Sequence, residues 1–90
     1  MADKAAYQKQ VQMRLNSLSG QINQWRNMAT GRPQLAADIT NLDSKRSAAE
    51  RQLAALRSAS NTSWEGLRGS IDAALNDLQN AVNSSRPRFL

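Results

Sequence analysis

Between Val11 and Ala29 the apolar side chains fall at Val11, Leu15, Leu18, Ile22, Trp25 and Ala29, in steps of four and three. That spacing gathers them into one stripe along a helix, a heptad seam that has to be covered by another helix. The same rhythm returns at Leu35, Ile39, Leu42, Arg46, Ala49, Leu53 and Leu56. A third stripe, out of phase with the second, runs through Trp64, Leu67, Ile71, Ala74, Leu75, Leu78 and Val82. Seams of this kind commit the chain to an all-α fold. Gly20 interrupts the first seam's helix at a modest cost in propensity, or permits close approach of a neighbour.

Two breaks divide the seams. In "ATGRPQ", Gly31 suits the left-handed residue that ends a helix, and Pro33 suits the first turn of the next. In "SNTSWEGL", Thr62 and Glu65 have the spacing of a capping box, and Asn61 tolerates the left-handed conformation. These signals predict helices over about 3–29, 33–59 and 63–84, joined by short turns. Short turns make successive helices antiparallel neighbours, so the expected fold is an antiparallel up-down-up three-helix bundle. The alternative is a long two-helix hairpin in which residues 33–84 form one rod of roughly 75 Å. In the bundle, Trp64 would share an end with Tyr7, and Trp25 would occupy the opposite end beside Leu78 and Val82.

Residues 1–85 are expected to form one helical domain, and 86–90 a C-terminal tail. Ser84, Ser85 and Pro87 read as the stop of the third helix, because the residue before a proline avoids the helical region. Beyond it, Arg86, Arg88, Phe89 and Leu90 read as a frayed terminus, as a docking peptide, or as a segment folding back on the Trp25 end.

From Leu42 onward the chain resembles a widespread family of small bacterial coiled-coil proteins, often labelled stress-response proteins. The resemblance rests on Leu42, Lys45, Arg46, Leu53, Leu56, Ala59, Ser60, Trp64, Glu65, Leu67, Asp72, Ala73 and Ala74, and on "QVQMRLNSLSGQINQWRNMA" as the first helix ending near a tryptophan. It implies a bacterial, helical, coiled-coil-like protein and supplies neither an active site nor a cofactor.

The chain has no cysteine and no histidine, so thiolate chemistry, disulfides and the usual general base are absent. The carboxylates Asp38, Asp43, Glu50, Glu65, Asp72 and Asp77 read as exposed helix positions, not as a converging acid–base pair. Neither "GRPQ" nor "EGLRGS" has the spacing of a phosphate loop. The expectation is therefore a non-catalytic protein without cofactor, metal or small-molecule substrate. No run approaches the roughly 18 apolar residues of a transmembrane segment, and the polar start "MADKAAYQKQ" lacks a signal-peptide core. A cytoplasmic protein is expected.

Function is then expected to reside in protein contacts: helix–helix self-association into a homo-oligomer, or a place as a small subunit in a larger assembly. The candidate partner-binding residues are Trp64, Arg46, Arg86, Arg88, Phe89 and Leu90. Trp64 reads either as the plug of one bundle end or as an offered contact. Arg46, at a seam position, reads as a snorkelling edge residue or as one that fixes register and partner. The alternative function is sequence-independent nucleic-acid binding through an arginine-rich surface, given a net charge of +5.

Overall fold

The structure, a computed structural model, describes residues 3–89. It contains three α-helices: α1 (Lys4–Met28), α2 (Pro33–Ser58) and α3 (Arg68–Phe89), the last entered through a 3₁₀ turn at Trp64–Leu67. They pack as an antiparallel up-down-up bundle measuring 48 × 17 × 17 Å. α2 stops at Ser58 and the chain reverses, so the single-rod hairpin is excluded.

Each helix terminus has an identifiable cause. The Asp3 carboxylate accepts the Ala6 backbone N–H at 2.7 Å, satisfying a donor that the first turn of α1 leaves free. After α1, Gly31 adopts φ +79°, the left-handed conformation expected of it, and Pro33 starts α2. At the other end of α2, the Lys4 ammonium donates to the carbonyls of Arg57 and Ala59, at 3.2 and 2.5 Å. A cation there satisfies orphan carbonyls and complements the negative end of the helix dipole.

The second joint departs from expectation in detail. The capping box from Thr62 to Glu65 does not form. The Ser60 hydroxyl instead accepts the Ser63 N–H at 3.2 Å and lies 2.8 Å from the Ser63 hydroxyl. Asn61 is not left-handed, since no non-glycine residue has positive φ among the described residues. The Trp64 N–H reaches the Ser60 carbonyl, so a tight serine turn feeds the 3₁₀ turn. Gly20 makes no close helix approach; a Cβ there would have open space around it.

The core is built from the three seams, with Ala29, Leu67 and Ala74 only partly buried and Arg46 outside it, and with Tyr7 added below Val11 and Phe89 above Val82. Ile22, Leu42, Leu56, Ile71, Leu78 and Val82 have almost no exposed surface.

The largest correction concerns the C-terminus. α3 does not end near Ser84; it runs through Pro87 to Phe89, and residues 86–89 belong to the bundle and do not form a tail. Proline forfeits one backbone bond, but in a last turn few further bonds are disturbed. Phe89 offsets that loss by stacking on Trp25 at 4.7 Å with ring planes 5° apart, at 2% exposure. Arg88 adds an ion pair to Asp38 of α2 at 3.1 Å. Leu90 lies outside the described residues. Replacing Phe89 by alanine is expected to cost about 3 kcal/mol and lower the melting temperature by more than about 10 °C, measured by circular dichroism.

Candidate interaction surface

Both bundle ends are closed by an aromatic pair with an arginine over it. At one end Tyr7 and Trp64 lie 5.5 Å apart, and the Arg68 guanidinium sits 5.1 and 5.7 Å from their ring centroids. At the other, Arg86 lies 6.0 Å from Trp25, which is stacked on Phe89. Guanidinium groups over aromatic faces gain electrostatic attraction while staying wet.

The sequence-derived contact residues are thus dispersed. Trp64 is buried at 4% exposure at one end of the bundle. Phe89 is buried at the opposite end with Arg86 and Arg88 beside it. Arg46 stands at mid-length, its guanidinium 3.4 Å from Asp43 and 3.5 Å from Glu50. Its Nε is buried without a hydrogen-bond partner while its head reaches the surface carboxylates. That is snorkelling from a seam position. The structure does not gather these residues into one site.

Around the upper half of the α1/α2 face the charges compensate. Arg26 bridges from α1 to both carboxylate oxygens of Asp43 at 2.5 Å, and Arg46 links Asp43 to Glu50. Across the α2/α3 face, Lys45 pairs with Asp77 at 2.8 Å. A polar cleft there, about 360 Å³ in volume, includes Asn41, Asn80 and Ser84 between the Lys45–Asp77 and Asp38–Arg88 pairs.

The lower half of the α1/α2 face differs. A hollow of about 320 Å³ is lined by Ala5, Gln8, Lys9, Gln12, Met13 and Arg57. It continues upward over Leu15, Asn16, Ser19 and Leu53, sharing Gln12 and Arg57, whose side chains hydrogen-bond across the groove. Lys9 and Arg57 form no ion pair among the described residues, and Met13 is 62% exposed. Sequence reasoning missed this groove. Lys9 and Met13 are one helical turn apart, but only the α1/α2 register brings Arg57 to them.

No three carboxylates converge as a metal site would require among the described residues. No helix is long and apolar enough to cross a membrane among them. Against family models, curated proteins and solved structures, the chain finds no match.

The phenol of Tyr7 donates to Asp72 at 2.6 Å, and its pKa is pushed up to about 12, first by burial and then by that bond to a carboxylate. The folded value lies above the ordinary one of about 10, so the phenol's contribution to stability is complete below pH ~10 and is lost as pH rises towards 12. With a single tyrosine in the chain, tyrosinate absorbance should titrate near 12 in the native protein and near ~10 in denaturant. Asp72→Asn should move the native midpoint down.

Arg46→Leu should raise stability by about 1 kcal/mol in denaturant unfolding. It fills the seam and removes a buried unpartnered Nε at the expense of two weak surface pairs.

Proposed function

We propose that this protein is a non-catalytic interaction module that acts as a small subunit of a larger protein assembly. The observation that carries this reading is that the three seams close on one another. Eighteen hydrophobic residues form the core, and Met13 and Met28 are the large hydrophobic side chains left exposed among the described residues. What the chain offers outwardly is three rigid interhelical faces of Gln, Asn, Ser and Arg, one of them grooved. Such faces suit docking into a polar interface in which rigid helices present the contacts. Self-association, if it occurs, uses these outer faces, since the seams are already occupied. The resemblance to small bacterial coiled-coil proteins supports the same class.

Sequence-independent nucleic-acid binding is the second reading. It is favoured by charge: of twelve cationic side chains, Arg26, Lys45, Arg46 and Arg88 have carboxylate partners among the described residues. Of the remainder, exposed cations such as Lys9, Arg32 and Arg51 are available to phosphates.

Photo-crosslinking in cells distinguishes the two. A benzophenone side chain is placed in turn at Asn16, Arg51 and Ala73, which are exposed on the three helices. The proposal expects a discrete protein adduct from at least one position. Adducts to nucleic acid alone, with duplex binding that weakens steeply as salt rises, would replace it by the second reading.

A further inference from the structure

We infer that the lower α1/α2 groove is the docking site for an acidic amphipathic helix of a partner protein. The inference rests on the interaction-module reading and specifies its surface and its partner. Three features of the groove define the occupant.

Its length comes first. From Ala5 to Ser19 the groove follows about 14 residues of α1, or about 21 Å, which matches four turns of helix lying along it. A groove between two antiparallel helices is where a further helix seats in bundle packing.

Charge comes second. Lys9 and Arg57 project from opposite walls with no carboxylate partner, and Arg57 is steadied by its hydrogen bond to Gln12. The carboxylate in the groove, Glu50, is near its upper end and is paired with Arg46. The occupant therefore carries carboxylates on both flanks of its lower turns, where they meet Lys9 and Arg57.

The third feature is Met13. An exposed thioether between two cations gives a phosphate backbone nothing to bind. It gives a leucine or phenylalanine on an acidic helix a polarizable, adaptable contact. Ala5, exposed in the same hollow, adds to that apolar surface, while Leu15 and Leu53 are buried and form the floor of the upper part. Two cations without carboxylate partners, one of them held by Gln12, beside an exposed methionine fit an amphipathic helix better than a nucleic acid, whose affinity grows with the number of phosphates contacted.

The test uses the full chain and a fluorescent helical peptide of about 18 residues, with leucines at i, i+3, i+4 and i+7 and glutamates on both flanks. A Lys-for-Glu version of the peptide and a labelled DNA duplex serve as comparisons, all read by anisotropy at physiological salt. The acidic peptide should bind in the micromolar range, and the basic one should not bind. The variant Lys9→Gln/Arg57→Gln should weaken binding about tenfold, and Met13→Ser several-fold. A charge-matched control, Arg32→Gln/Arg51→Gln, should leave it within twofold. Circular dichroism of each variant checks that the bundle is intact; these positions are exposed.

Equal weakening by the control pair would show that net charge alone attracts the peptide, and would overturn the assignment. So would absence of peptide binding, or tighter binding of the duplex through Lys9 and Arg57. Light scattering covers the remaining occupant: an oligomer that the Lys9→Gln/Arg57→Gln variant converts to monomer makes a second copy of this chain the occupant. If crosslinks in cells reach protein only from Arg51 or Ala73, the module reading stands and the groove assignment falls.

Discussion

The direction of α3 depends on one contact, the burial of Trp64 against Tyr7. The 3₁₀ turn that begins at Trp64 comes directly after the serine-rich reversal, so the indole is the first large side chain available to anchor the returning chain. With its ring 5.5 Å from Tyr7, α3 is committed to run back beside α1 with Ile71, Leu75, Leu78 and Val82 facing inward. Arg68, one turn later, covers both rings, and Asp72, one turn beyond that, takes the Tyr7 hydroxyl. A slim core of eighteen residues has little apolar volume to spare, and aromatic side chains supply a large share per residue. The aromatics stand at the two ends, Tyr7 with Trp64 and Trp25 with Phe89.

Charge is distributed along the bundle in a way that complements this closure. Near the Trp25 end and mid-length, cross-helix pairs tie the surface together: Arg26 to Asp43, Lys45 to Asp77 and Arg88 to Asp38. Each is exposed enough to contribute little alone, but together they favour one register of α1 and α3 against α2. Near the Tyr7 end, Lys4 is spent on the terminus of α2, while Lys9 and Arg57 have no such duty. What distinguishes the Tyr7 end is pairing, not net charge: the ion pairs between helices stand near the Trp25 end and at mid-length.

The heptad steps made the three helices, both joints and nearly all of the core legible from residues alone. They also contained the true end of α3. Continued past Val82, steps of three and four reach Ser85 and Phe89, and both are buried. The rule against helical residues before a proline is local, and here it yields to a period carried over four turns. A stacked tryptophan at the far end of another helix decided the matter, and no local signal reports that. The capping box failed for a related reason: Ser60 offered a tighter serine turn once Trp64 was drawn into the core. Arg46 was readable as a snorkelling residue because its stem and head divide between seam and surface. The groove was not readable, since its lower hollow sets Arg57 against α1 side chains 44 to 52 positions earlier, which only the paired register of α1 and α2 joins.

That register links stability to presentation. Leu15 and Leu53 are at once core residues, 2% and 3% exposed, and part of the groove's lining. Their packing sets the separation of α1 and α2, and so the width between Lys9 and Arg57. Protein interiors are close-packed and yield little to local change, so a groove floored by core residues keeps its shape without a ligand. A partner helix then meets a preformed surface and loses only its own freedom on binding. The end closures act on the same separation from a distance. By holding α3 against both other helices at Trp64 and at Phe89, they keep the third helix wedged behind the α1/α2 pair along its whole length. In a bundle this slender, the aromatic plugs are as much a part of the binding face as the residues that line it.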